Sequence, residues 1–175
     1  CHNPTGVDLT AEQWQTLLEV LREYELLPFL DVAYQGFSRG IDEDGAIVRQ
    51  FAQSGMPLLI ANSFSKSFSL YGERVGALTI IDSSRDESTR VLSQLKRVIR
   101  ANYSTPPTHG GSVVTTVLTT PELRDSWVQE LTEMRERIKH MRSALVDRLH
   151  AHGANRDFSF VLRQNGMFSY SGLTA

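Results

Sequence analysis

Apolar residues near the start of the chain recur at helical spacing and then give way to unbroken runs. Trp14, Leu17, Leu18 and Leu21 share one face of a predicted helix. Thr10 and Gln13 supply a capping box at its start, with Leu9 and Trp14 spaced as a hydrophobic staple. The preceding Asn3-Pro4-Thr5-Gly6 is turn chemistry, because Pro fixes φ, the residue before it is pushed out of the helical region, and Gly tolerates positive φ. Phe29, Leu30, Asp31, Val32 and Ala33, following Pro28, predict a short buried strand. A helix is predicted over 46–53 with Ile47, Val48 and Phe51 inward, stopped by Gly55 and Pro57. Buried strands follow over 57–61 and 75–81, then a turn at 82–84 and a helix from 88 to about 101 with Val91, Leu95 and Val98 inward. This alternation predicts α/β layers. The Ser- and Pro-rich stretch 103–111 breaks it and predicts a loop of the kind that carries function.

From 121 to about 152 the period changes. Trp127, Leu131, Met134, Ile138, Met141, Leu145 and Leu149 step by three or four residues over about eight turns. A coiled coil fits this stripe, but the chain offers it no partner and the other face mixes Arg, Glu and Asp. A helix bridging two domains is the preferred reading. Segments 158–162 and 167–170 predict two short strands joined by Arg163-Gln164-Asn165-Gly166, the opening of a second unit.

Bulk properties narrow the function without naming it. The 175 residues suffice for one domain with a real core. A net charge of -2, with 22% charged residues, shows neither the basic excess of a nucleic-acid binder nor an acidic tail. Cys1 is the single cysteine, so no internal disulfide forms and no oxidising compartment is required. No apolar run approaches the roughly 18 residues of a membrane span. The chain lacks an initiator Met, opens on a turn and stops at Ser171-Gly172-Leu173-Thr174-Ala175; an internal piece of a longer protein, without a signal peptide, is expected.

Chemistry concentrates where strand 57–61 hands over to Asn62-Ser63-Phe64-Ser65-Lys66, with Arg74 two turns on. Open α/β folds bind ligands past the carboxyl ends of their strands. Lys66 is a candidate nucleophile there, and the serines with Arg74 suit an anionic group such as a phosphate. Together they suggest a Schiff-base lysine beside a phosphate cup. A solvated loop lysine and a surface arginine fit the same segment. Asp31, at the end of an apolar strand, requires a positive partner, from the protein or from a ligand. In pyridoxal phosphate enzymes that partner is a pyridinium nitrogen, and Tyr34 and Asn3 are placed to bond the ring's phenolic oxygen. Asp31 alone also fits a cap or a structural ion pair; the ordered set carries more weight.

The ordered motifs resemble the class I aminotransferases of fold type I, specifically the aspartate and aromatic amino acid group. They are C-H-N-P-T-G at Cys1 to Gly6, D-V-A-Y-Q-G-F at Asp31 to Phe37, S-F-S-K at Ser63 to Lys66, L-Y-G-E-R-V-G at Leu70 to Gly76, N-Y-S-T-P-P at Asn102 to Pro107, G-A-N-R-D-F-S-F at Gly153 to Phe160 and N-G-M-F-S-Y-S-G-L at Asn165 to Leu173. The resemblance implies an α/β fold: the second half of a pyridoxal-phosphate-binding large domain with a mostly parallel sheet and flanking helices over 1–120, an interdomain helix over 121–152, and the start of a small α+β domain over 153–175. It implies that Lys66 forms the Schiff base and shuttles the proton, that Asp31 pairs with the pyridine nitrogen, and that Asn3 and Tyr34 bond the phenolic oxygen. Ser63, Ser65 and Arg74 would hold the phosphate. Arg100 would reach into the partner subunit's site of a homodimer to bind the substrate's distal carboxylate, and Phe168 would line the substrate side. The Asn3-Pro4 bond is expected to be cis.

The implied activity is transfer of an amino group between L-aspartate or glutamate and a 2-oxo acid such as 2-oxoglutarate, in the cytoplasm, with the aromatic amino acid alternative open. The family's remaining cofactor contacts and its second substrate arginine fall outside these 175 residues, so the chain by itself is expected to be inactive. Three other readings fit parts of the pattern. Ser63-Phe64-Ser65-Lys66 satisfies the S-x-x-K pattern of β-lactamases, but its S-D-N and K-T-G partners do not occur. An aminotransferase-like sensor fused to a DNA-binding region would retain Lys66, Asp31 and Arg74. Alternatively, Arg100 fits a helix C-terminal cation. His2 and His109 read as structural, and no metal site or nucleic-acid or membrane partner is expected.

Overall fold

The computed structural model describes residues 1–173. Thr10 leaves extended backbone and starts the first helix, α1 (Ala11–Glu23), through a complete capping box. The Gln13 N–H donates to the Thr10 hydroxyl at 3.3 Å, and the Thr10 N–H donates to the Gln13 side chain at 2.9 Å. The amphipathic face predicted for α1 is real: Leu18 is buried, and Trp14 and Leu21 pack around it.

Strand β1 (Phe29–Val32) follows, then a short helical turn α2 (Ile41–Asp44), which no apolar periodicity announces, and α3 (Ala46–Gln53). β2 (Leu58–Ser63) runs parallel to β1, and β3 (Gly76–Ile81) pairs with the other side of β2. Leu18, Phe51, Leu58 and Ile60 form the core between helices and sheet, with the Trp14 and Phe51 rings edge to face at 6.0 Å. The mostly parallel sheet expected here holds only for β1 and β2, because β3 is antiparallel. Its connection, 64–75, contains turns and no crossover helix, and a return in the same direction needs a crossover. β3 is also not the buried strand expected, with Leu78 52% exposed.

Ser84 caps α4 (Arg85–Asn102), which begins a turn earlier than its apolar stripe. That stripe was expected to face inward, yet none of its residues is buried and Val98 is 54% exposed. The loop predicted over 103–111 gives way to a helix already at His109, α5 (His109–Thr119). Gly110 lets α5 approach closely: a Cβ there would lie 2.8 Å from Glu73 Cβ and 3.2 Å from Val75 Cβ.

The long helix α6 (Pro121–Ala151) starts with Pro in its first turn and runs 31 residues, about 46 Å at 1.5 Å per residue. Val146 packs with Phe158 and Val161 in a second cluster. The two strands expected over 158–162 and 167–170 do not form. Ser159–Arg163 is a 3-10 helix, closed by Asp157, which accepts from the Ser159 N–H at 2.8 Å and hydroxyl at 2.9 Å. These bonds hold the Asp157 carboxyl below the usual carboxylate range. Past it, side chains and a loop take up the backbone groups a ladder would need. Asn165 N–H donates to Gly6 O at 2.7 Å, Tyr170 N–H to Gln164 Oε1 at 2.9 Å, and Arg142 collects the carbonyls of Gln164, Gly166 and Phe168. Thr174 and Ala175, the end of the expected 153–175 unit, lie outside the described residues.

Candidate active site

Two parallel strands end side by side, and the turns beyond them carry the site. Register places Asp31 opposite Ala61 and Val32 opposite Asn62, so the turns after β1 and β2 leave the sheet at the same carboxyl edge. The turn after β1 carries Tyr34. Asp44 fixes the loop behind it, its carboxylate accepting from the backbone N–H groups of Gly36 at 2.8 Å, Ser38 at 3.0 Å and Arg39 at 2.9 Å.

The turn after β2 carries Lys66. Phe68 N–H donates to Phe64 O and Ser69 N–H to Lys66 O, both at 3.2 Å, winding 64–69 into a tight helical turn. Ser65 and Ser67 are buried in it. From outside, the Trp127 indole N–H donates to Ser67 O at 2.6 Å while the Trp127 ring stacks on Phe68 at 4.6 Å. Lys66 Nζ then stands over the Tyr34 ring, 4.9 Å from its centroid.

Asn3 reaches the same tyrosine from the N-terminal turn, where the Asn3-Pro4 bond is cis as expected. Its side-chain amide donates to the Tyr34 hydroxyl at 3.4 Å. Phe168 closes the other side, edge to face with Tyr34 at 5.2 Å. Asn3, Tyr34, Lys66 and Phe168 are thus one contiguous cluster; Asp31, exposed near the end of β1, makes no hydrogen bond or ion pair with it among the described residues.

Arg74 and the serines lie at the two ends of the connection between β2 and β3. Phe64 N–H donates to Val75 O at 3.2 Å, carrying the antiparallel register one step past Ser63 and Gly76. The ladder stops there, since Ser65 already belongs to the lysine turn, and among the described residues no hydrogen bond joins Arg74 to Ser63 or Ser65. Ser63 Oγ accepts from the Ser65 N–H at 3.3 Å, and Arg74, at φ 52°, is steadied by donating to Tyr71 O at 3.0 Å. Arg100 stands apart: it lies in the last turn of α4, is exposed, and donates to Ser104 Oγ at 3.2 Å. Among the described residues no hydrogen bond or ion pair joins it to the lysine cluster.

A cavity of about 940 Å³ opens beneath α1 and α3 and reaches Asp31 and Tyr34 at one end. Its walls include Trp14, Leu21, Ile47 and Phe51, while Lys66 and Arg74 do not line it. It is the hollow over one apolar sheet face, and the chemistry lies at its Tyr34 end. Among the described residues, no group of three or more His, Cys, Asp or Glu side chains is gathered as a metal site requires.

The arrangement combines an amine over a phenol ring, an amide on the phenol's hydroxyl, a carboxylate near a strand end, and a guanidinium and serine hydroxyls on the connection that carries the lysine. Such a set suits a small cationic ring bearing an amine-reactive carbon and a phosphate. Asp44 and Trp127 support it and were not foreseen. Trp127 was visible only as one step in a helical stripe, and nothing in that stripe tells which carbonyl an indole will meet.

The comparisons with known proteins agree with one another. The family model described as Aminotransferase class I and II matches residues 1–175. Aspartate aminotransferase of Pseudomonas aeruginosa is 68% identical over 175 residues, covering 100% of this chain and 44% of that protein. Aromatic-amino-acid aminotransferase of Escherichia coli is 51% identical over 175 residues, again 100% of this chain and 44% of that protein. The crystal structure of aromatic-amino-acid aminotransferase from Burkholderia pseudomallei, covalently bound to pyridoxal phosphate, superposes with a TM-score of 0.97 at 64% identity, over 99% of this chain and 44% of that one. The chain therefore spans less than half the length of the relatives it matches.

Proposed function

This chain belongs to the class I and II aminotransferases, and from that premise we propose that its full-length protein transfers an amino group between L-aspartate or glutamate and a 2-oxo acid such as 2-oxoglutarate, using pyridoxal 5′-phosphate. The observation that carries the proposal is Lys66 Nζ held 4.9 Å over Tyr34, whose hydroxyl takes the Asn3 amide hydrogen. The residue types fit this cofactor: the cluster holds an amine, a phenol and an amide, while Asp31 on β1 and Arg74 just before β3 would supply the charges for the ring nitrogen and the phosphate. Bound there, pyridoxal phosphate supplies an aldehyde that condenses with amines and a ring that takes up electrons.

The chain's own residues do the rest. Lys66 Nζ is the attachment point and the group that moves a proton to and from the substrate carbon. Asp31 holds a positive charge on the ring nitrogen, and Asn3 with Tyr34 steadies negative charge on the phenolic oxygen. Ser63, Ser65 and Arg74 bind the phosphate. Phe168 covers the substrate side of Tyr34 and keeps water from it. Arg100, which makes no hydrogen bond or ion pair with the lysine cluster of its own chain among the described residues, binds the distal carboxylate in the partner subunit's site of a homodimer. We place 1–120 in the cofactor domain, 121–152 in the connecting helix and 153–175 in the small domain, of a protein working in the cytoplasm.

A second reading, with aromatic amino acids as substrates, is favoured by the 64% identity to the Burkholderia aromatic enzyme. One experiment addresses both. The full-length protein, loaded with pyridoxal phosphate and reduced with borohydride, should yield a Lys66 peptide carrying the cofactor's mass. Its kcat/KM for aspartate, tyrosine and phenylalanine with 2-oxoglutarate then ranks the substrates. An unmodified Lys66 peptide sinks the proposal, and a preference for tyrosine and phenylalanine moves it to the second reading.

A further inference from the structure

Arg142 is the buried cation for which the site has no direct use. It projects from α6 with 8% of its surface exposed, and among the described residues no carboxylate pairs with it. Its donors go instead to one short segment: Nη1 to Gln164 O at 2.7 Å, Nη2 to Gly166 O at 2.5 Å and to Phe168 O at 2.7 Å, and Nε to Ser169 Oγ at 3.0 Å. Burial without a counter-charge lowers the Arg142 pKa, which marks the environment as unfavourable for a cation. Carbonyls of alternate residues converge here on one planar group, and a guanidinium with five donors in a fixed fork can gather them where a lysine cannot.

Phe168 is the residue that this clamp delivers to the site. Its ring meets Tyr34 edge to face at 5.2 Å, and Tyr34 in turn lies under Lys66 Nζ and receives the Asn3 amide. The clamped segment also touches the turn that carries Asn3. Asn165 N–H donates to Gly6 O at 2.7 Å, and Gly6 packs so tightly on Phe168 O that no side chain fits there. Both approaches to Tyr34 therefore depend on where 164–169 sits.

We propose that Arg142 is a positioning residue: it fixes 164–169 so that Phe168 holds Tyr34 in place under Lys66. This rests on the reading of the site given above. An arginine that merely fastens 164–169 would affect stability alone.

The test uses the full-length protein and Arg142→Lys. In the apoprotein, amide hydrogen exchange across 165–170 should quicken by about tenfold as the fork is lost. In the loaded enzyme, KM for the amino acid should rise about tenfold with a smaller change in kcat, the mark of lost uniform binding. The pH midpoint of the cofactor's absorbance should move up, because a loosened Tyr34 donates less to the phenolic oxygen. Phe168→Ala should shift the same quantities, and the double variant should be no worse than Phe168→Ala alone. Faster exchange with unchanged KM and midpoint, or additive effects in the double variant, overturns the proposal. Should Arg142→Lys not fold, Ser169→Ala removes only the Nε acceptor; a smaller shift in the same direction supports the role and no shift overturns it. A wild-type enzyme with no cofactor on Lys66 takes down the functional reading and this role with it, whereas a normal wild-type spectrum with an unmoved variant rejects Arg142 alone.

Discussion

Tyr34 joins more of the site than any other side chain. One face lies under Lys66 Nζ, one edge meets Phe168, and the hydroxyl takes the Asn3 amide. Replacing it with Phe keeps both ring contacts and removes one hydrogen bond to a charged centre. Such a bond contributes ~1.5–3 kcal/mol, so Tyr34→Phe should lower kcat/KM by about tenfold to a hundredfold while Lys66 still takes up the cofactor. Steady-state kinetics together with borohydride labelling checks this, and a variant that turns over at the wild-type rate contradicts the role. The sequence made this cluster legible where local rules apply. An apolar run ending in Asp31 or in Ser63 fixes a strand end, and open α/β sheets bind ligands there. Phe168 was placed only through the family resemblance, and Arg142 and Asp44 were not placed at all. Their partners are backbone groups, which every residue carries, so no side-chain pattern announces them.

At the scale of the elements, α6 ties the parts of the site together. Trp127 meets the lysine turn, Leu131 and Arg135 meet Gly36 in the loop after Tyr34, and Arg142 holds the segment of Phe168. These positions fall on one side of the helix, separated by four, four and seven residues, so one rod sets three loops. Trp127→Phe preserves an aromatic ring against Phe68 and strips the hydrogen from Ser67 O. Leaving that carbonyl unmet should cost ~1–3 kcal/mol, read as a lower denaturation midpoint with unchanged slope. The contact of α5 with Glu73 and Val75 is tighter still. Gly110→Ala forces a methyl to 2.8 Å from Glu73 Cβ, and overpacking of this kind costs ~1–3 kcal/mol. Because Arg74 lies between those two residues, weaker binding of pyridoxal phosphate should accompany the loss, measured by titrating the apoprotein. Ends of helices were legible because caps and Pro act locally: Thr10 and Pro121 start α1 and α6 where expected. The strands expected at 158–162 and 167–170 failed for the opposite reason. A strand requires a ladder partner, and here Arg142, Gln164 and Gly6 engage the backbone first.

For the whole molecule, the position of Arg100 makes subunit arrangement a question that mixing can answer. Its guanidinium sits in the last turn of α4, bonded to Ser104. If the full-length protein is the two-fold dimer proposed above, each Arg100 would be carried toward the other subunit. Take full-length Lys66→Ala and Arg100→Ala, each inactive or nearly so, and exchange their subunits. In a hybrid dimer the Arg100→Ala subunit keeps Lys66, and its partner keeps Arg100. If Arg100 serves the neighbouring site, one complete site appears per hybrid, and random exchange of equal amounts should recover about a quarter of the wild-type rate. If Arg100 serves its own subunit, the hybrid contains no complete site and activity stays at the level of the parents. The assay thus separates a shared site from a self-contained one without a structure of the dimer, and it does so through Lys66, the residue on which the functional reading depends.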